Sequence, residues 1–226
     1  MQLGVAHEAL SGGHVPWRSV TFDVSSKSDA GHTIYGALRE TSRFSLLDHQ
    51  VMAGLSRQLS HRLVAVTELE VSPTHHLLSR WTVSGQLQTN LGKGWNVQTG
   101  LRHGEYTGAS VDIGTVTAER YWGRYRAAYS LYLAHVAGGG VSGSHRVHGD
   151  YYYGKYENSI GVSLSGGREI ENVEFRGVLR TGVRSAALTG RQWLTRRWSV
   201  FYDAGIHEQG VYYTTKRLGI AVGHRF

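Results

Sequence analysis

The residues able to do chemistry in this chain are charged side chains set singly along alternating segments. Glu68, Glu70, Arg80, Arg102, Asp112, Arg126, Arg146, Asp150, Arg176, Arg180, Arg184, Asp203 and Arg217 are all assigned to the polar parity of their segments. Gathered inside a tube, such side chains of both signs would set up a transverse field. They would also hydrogen-bond the hydroxyls or carboxylates of a passing glycan, with Tyr132, Tyr152 and Tyr213 as sliding surfaces. Arg is in excess, which favours anionic sugars or solutes. The competing reading is that the same charges pair across strands and fill a narrow interior. Arg176, Arg180 and Arg184, four residues apart, repel one another unless Asp150, Asp203 and the Glu68/Glu70 pair, or a ligand, answer them.

Catalytic constellations are weaker. In Ser144-His145-Arg146-Val147-His148-Gly149-Asp150, a strand would put His145 and Asp150 on opposite faces and His148 and Asp150 on one. A base and its orienting carboxylate are thus possible, but no nucleophile elbow accompanies them. His61, His75 and His76 read as solvated turn residues, and no His-Glu-x-x-His pattern offers a metal site. Gly138-Gly139-Gly140 and Gly166-Gly167 lack the Lys and Ser/Thr of a phosphate loop and read as turns at strand ends. The expectation is a protein that is not an enzyme, with no catalytic residues, no metal and no cofactor; Ca²⁺ ligands in loops stay open.

The elements that must position these residues are strands. Leu77, Ser79, Trp81, Val83, Gly85 and Leu87 alternate with Leu78, Arg80, Thr82, Ser84, Gln86 and Gln88. The same split recurs at Leu63 to Val71, Trp95 to Leu101, Phe175 to Val183 and Trp198 to Ile206, whereas a 3.6-residue apolar period is hard to find. Short turns at 58–62, 90–94, 122–124 and 194–197 alternate with looser connections at 72–75, 137–140 and 207–210. Counting between breaks gives about fourteen strands, long enough to suit membrane strands of about 9–11 residues. Twelve is the rival count, because the segments before Asp48 and around Gly167 to Asn172 are ambiguous. No linker or composition shift divides residues 1–226, so one domain is expected.

Composition narrows the class. The 226 residues carry a net charge of +7, 40% hydrophobic residues, 30 Gly, 2 Pro and no Cys. Zero Cys excludes disulfides, thiolate metal sites and a cysteine nucleophile. No apolar run approaches the roughly 18 residues of a membrane helix, and an aromatic content of 11% argues against disorder. The cations are spread singly with no basic block, so no nucleic-acid partner is expected. Gln2 to His7 form neither the basic nor the apolar region of a signal peptide, which implies a cytosolic chain or one lacking its signal.

Alternation alone does not say which solvent meets the apolar face, since a soluble sandwich alternates too. Lipid is favoured by strand length, by the Arg-, Glu-, Asp- and Gln-rich opposite face, and by aromatic residues at strand ends. Trp17, Trp95, Tyr121, Tyr125, Tyr153, Trp198 and Tyr212 sit where interfacial girdles would. The last segment, Leu218 to Phe226, alternates through Leu218, Ile220 and Val222 and ends on Phe226. It resembles the terminal strand of bacterial outer-membrane proteins, the signal read by the barrel-assembly machinery, with His224 departing from the usual apolar or aromatic residue.

The stretch from Leu179-Arg180-Thr181-Gly182-Val183-Arg184 through Leu188 to Trp198 and the terminal Arg-Phe resembles the YaiO-type outer-membrane barrel family. Tyr121-Trp122-Gly123-Arg124-Tyr125-Arg126 and Gly166-Gly167-Arg168-Glu169-Ile170-Glu171 are similar to further family stretches. Many members carry helical repeats ahead of the barrel, which this chain does not show. The resemblance implies a role in the cell envelope, with exopolysaccharide export the activity most often associated with such barrels.

The expectation is therefore all-β: one closed antiparallel transmembrane β-barrel in the outer membrane of a Gram-negative bacterium. Both termini should be periplasmic, with turns 90–94 and 194–197 beside them and segments 73–76, 138–144 and 207–210 outside. The expected function is a porin-like pore or a conduit for exopolysaccharide or other anionic solutes. A closed docking barrel, an outer-membrane hydrolase and a soluble binding sandwich are the alternatives. Expected partners are outer-membrane lipid and lipopolysaccharide, the barrel-assembly machinery and a periplasmic polysaccharide-export component.

Overall fold

A computed structural model describes residues 1–28, 31–156, 158–173 and 177–226. Among these, fourteen strands follow one another: β1 (Gln2–Leu10), β2 (Trp17–Lys27), β3 (His32–Arg43), β4 (Leu46–Ser60), β5 (Leu63–Val71), β6 (Trp81–Gly92), β7 (Trp95–Tyr106), β8 (Ala109–Trp122), β9 (Tyr125–Val136), β10 (Gly140–Tyr153), β11 (Asn158–Val173), β12 (Gly177–Trp193), β13 (Trp198–Gln209) and β14 (Tyr213–His224). Each pairs antiparallel with its sequence neighbours, and β1 pairs with β14 from Gln2↔Gly223 to Leu10↔Thr215, closing the barrel. Closure satisfies the backbone of every strand from within the sheet, the condition for spanning lipid. Both chain ends lie at one rim, where the amino group of Met1 donates to the His224 carbonyl at 2.8 Å; this is the terminal rim, and the opposite one the far rim.

The alternation explains the two faces. Outward-pointing Leu3, Ile34, Leu38, Leu101, Leu218 and Ile220 are 54–75% exposed in the isolated chain, more apolar surface than a soluble monomer leaves in water. Most inward positions are small or polar, with Thr82, Thr117, Glu119, Ser130, Ser163 and Thr215 buried. The soluble-sandwich alternative, which buries its apolar parity between sheets, is thereby excluded.

Several expectations need correction. The strand expected from Leu77 begins only at Trp81; residues 72–80 form a far-rim connection that folds back onto β4. Gly166 and Gly167 lie within β11 and make no turn; Gly167 has φ +149°, and a Cβ there would collide with the Ser144 backbone on β10. Segments 141–144 and 207–209 belong to β10 and β13, so the far-rim turns are shorter than expected. Phe175 lies outside the described residues.

The outward aromatic girdle is concentrated at the terminal rim. Trp122 stacks on Tyr125 at 6.1 Å, Tyr125 meets Tyr151 at 5.2 Å, and Trp198 lies 4.5 Å from His224. Trp17 and Tyr121, expected in a girdle, face inward instead. Trp17 pairs with Glu8 and is 4% exposed, and Tyr121 pairs with the inward Arg126.

Candidate functional site

The inner wall carries the candidate site, and strand parity builds it. On β5 the outward Leu69 and Val71 leave Glu68 and Glu70 pointing in. Glu68 accepts from Tyr35 Oη at 2.7 Å and Ser84 Oγ at 3.1 Å; Glu70 accepts from Gln50 Nε2 at 3.0 Å and Arg102 Nη2 at 3.2 Å. Nearer the terminal rim, Arg126 donates to Glu119 (2.9 Å) and Asp150 (2.9 Å), while His148 Nε2 lies 2.9 Å from Asp150. Across the closing seam Arg217 donates to Asp203 at 2.7 Å and Glu8 at 3.0 Å. Three inward arginines thus each span strands to carboxylates, geometry in which a planar guanidinium is effective.

Arg146 differs. It faces inward from β10, paired with Ser130 and Ser165, and among the described residues it has no ion pair, hydrogen bond or ring contact. Its neighbours' hydroxyls are turned to each other: Ser130 to Thr117 at 2.7 Å and Ser165 to Ser185 at 2.6 Å. Asp150, the acid on its own strand, is already held by Arg126 and His148. Its guanidinium is left to the lumen. Arg39, Arg102 and Arg146 point inward yet remain exposed, and the Arg102 and Arg217 side chains are 44% and 41% exposed.

Of the residues expected in the lumen, Glu68, Glu70, Arg102, Arg126, Arg146, Asp150, Asp203 and Arg217 point inward. Three do not fit. Asp112 faces outward, its carboxylate 2.7 Å from His103 and 3.8 Å from His135 on the flanking strands. Arg184 faces outward opposite Glu208, because Val183 and Thr181 take the buried inner positions. Arg80 belongs to the far-rim connection, where its amide donates to the Glu105 carbonyl. Arg176 lies outside the described residues, and of Arg180 only the backbone pairing with Ile170 is described. The expected Arg excess shrinks accordingly, and no inward column of three arginines is present among the described residues.

The hydrolase constellation is split as the alternation requires: Ser144, His148 and Asp150 face in and His145 faces out, against Tyr129 Oη at 2.6 Å. His76 is more than a solvated turn residue. Its amide, with those of Leu77 and Leu78, donates to the fully buried Asp48 carboxylate at 2.7–2.9 Å, and its ring lies 3.1 Å away.

Sequence reasoning missed Glu8, Asp48 and Glu119 as inward acids. Glu8 and Glu119 were detectable, since each shares parity with small or polar residues beside outward Val5 and Val116. Asp48 was detectable too, sharing parity with Gln50 and Gly54 beside outward Leu47 and Val51; its partners, which come from a connection, were not. Leu218, Ile220 and Val222 all point outward on β14; Phe226 lies beyond the strand, its ring 4.8 Å from His224.

The comparisons agree with this geometry. No curated protein matches the chain. Among solved structures, the KdgM porin in complex with disordered oligogalacturonate is similar at 10% identity and TM-score 0.56, over 100% of this chain and 99% of that one. A bacterial polysaccharide outer membrane secretin is similar at 9% identity and TM-score 0.59, over 100% and 98%. The CymD monoaromatic hydrocarbon channel matches at 7% identity and TM-score 0.63, over 100% and 88%. At these identities the likeness is one of fold: a porin-like outer-membrane barrel. The sequence profile of a membrane β-barrel family matches residues 1–172, taking in the Tyr121–Arg126 and Gly166–Glu171 stretches and ending before Leu179. An apolar outer wall, a charged inner wall and this match agree that the chain is a bacterial outer-membrane barrel and belongs to the YaiO membrane beta barrel domain family.

Proposed function

We propose that this barrel is a passive channel for polar and anionic solutes, with exopolysaccharide strands as the solute class, and that it performs no catalysis. The observation that carries the reading is the exposure of guanidinium groups that point inward from a closed wall. In a filled barrel those groups would be buried; here solvent reaches them. The reading also draws on the family's association with the envelope, and on two similar folds whose names speak of oligogalacturonate and of polysaccharide. Arg146 gives the anionic preference its residue, since its guanidinium, unlike those of Arg102, Arg126 and Arg217, has no carboxylate partner among the described residues. In the same reading the terminal rim faces the periplasm, where an export component would dock, and the β14 face of Leu218, Ile220 and Val222 with Phe226 is the segment read during assembly.

The test is single-channel conductance of the refolded barrel in a planar bilayer, with and without oligogalacturonate. Steady conducting steps, blocked by the oligomer, are expected, with a reversal potential under a salt gradient that marks anion preference. Arg146→Gln should move that potential toward cation preference and relieve block. Insertion without conductance would sink the channel reading.

A further inference from the structure

Just inside the far rim, Glu8, Trp17, Arg43, Gln209, Tyr213 and Arg217 line a cavity of about 390 Å³, within the range of small-molecule sites. Its floor is open because β12 and β13 present Ser185, Ala187 and Gly205 there, none of which fills the space. Its upper edge is an aromatic cluster. Trp17 meets Tyr213 at 5.3 Å and Phe44 at 5.1 Å, both edge-on, and the Arg43 guanidinium lies 4.4 Å over the indole.

Two features point to a ligand. The indole Nε1 of Trp17 is buried and has no hydrogen-bond partner, and such a donor seeks an acceptor. Of the polar groups that line the cavity, three are already fixed: Arg217 by Glu8 and Asp203, His207 by Gln209 at 2.8 Å, and Gln209 by Thr181 at 2.7 Å. Fixed donors and acceptors keep the cost of binding low. Charge sets the ligand class. Arg217 is held by Glu8 and Asp203 and the Arg43 guanidinium lies over the Trp17 indole, so neither stands open to an anion as Arg146 does on the wall. Aromatic edges, a floor of small side chains and planar polar side chains suit a ring that is apolar on its faces and hydroxylated at its edge.

We propose that this cavity is a saccharide station of the channel, binding a neutral sugar unit with the Trp17 N–H donating to a ring or hydroxyl oxygen. The proposal rests on the channel reading, of which the cavity is one step. Its test is calorimetric titration of the full detergent-solubilised barrel with a neutral maltooligosaccharide and, separately, with oligogalacturonate. Heat-modifiable gel migration reports folding of each variant. The wild type should bind the neutral oligomer; Trp17→Phe, which keeps a ring and deletes the N–H, should weaken binding about tenfold. Ala187→Leu, which grows into the space above Gly205, should abolish it. If Trp17→Phe does not fold, the wild type and Ala187→Leu decide. No binding of the neutral oligomer, binding of oligogalacturonate alone, or equal binding by the wild type and the folded variants would overturn the station. A barrel that conducts but binds no neutral sugar loses the station and keeps the channel. One that binds without conducting loses the channel and keeps the site.

Discussion

Arg126 shows what most inward arginines do in this barrel. It sits between Glu119 and Asp150, whose side chains are only 5% and 11% exposed, so removing it leaves two carboxylates buried with their main partner gone. Arg126→Met is expected to lower stability by about 3 kcal/mol, read as a shift of the urea midpoint for unfolding in detergent. Adding Glu119→Gln and Asp150→Asn should recover most of that loss, because no buried charge is then left unanswered. A single mutant as stable as the wild type would mean that the cluster is solvated and contributes nothing. The inward direction of Arg126 and Asp150 was legible in the sequence, since parity within a strand follows from alternation. Their pairing was not, because it depends on register between strands, which one sequence does not print. Parity itself misled at Asp112 and Arg184. Both sit toward the far rim, where the outer face is polar as well; around Asp112 the apolar residues Val111 and Ile113 are the inward ones, so alternation no longer separates lipid from lumen.

At the scale of elements, the connection 72–80 is ordered by one side chain. Asp48 accepts from the amides of His76, Leu77 and Leu78, while Ser72 donates to the His49 carbonyl and Thr74 accepts from the His49 amide. Asp48→Ala removes the three strongest of these restraints and leaves the β4–β5 ladder intact. Hydrogen exchange at residues 76–78 should then quicken about tenfold or more, given the usual strength of hydrogen bonds to a charged acceptor, with the barrel still folded. Unchanged protection of those amides would show that the Ser72 and Thr74 contacts suffice. The sequence offered Leu77 to Leu87 as one strand because the period of two continues through the connection. What ends the strand at Trp81 is a competing acceptor on β4, distant in sequence. Gly166 and Gly167 were misleading for the same reason: Gly is a turn signal, but here it relieves a close approach of β11 to the Ser144 backbone.

For the molecule as a whole, closure was legible and sidedness was inferred. Strand count and the apolar Leu218–Phe226 alternation pointed to a closed barrel, and the even count places Met1 and Phe226 at one rim. Which compartment that rim faces is inferred from the longest connections: among the described residues 11–16 and 72–80 lie at the far rim, whereas the terminal-rim turns run from two residues, as at 61–62, to four, as at 194–197. Outer-membrane barrels keep short turns on the periplasmic side. The turn 194–197 at the terminal rim contains Arg196 and Arg197, and the far-rim connection contains Arg80, so trypsin reads orientation directly. Added to intact cells, it should leave the bond after Arg197 whole and cut, if anywhere, at Arg80; after the outer membrane is permeabilised, Arg196 and Arg197 should become cleavable. Cutting at Arg197 in intact cells would invert the barrel. The saccharide station would then sit at the periplasmic mouth, where an exported strand enters instead of where it leaves.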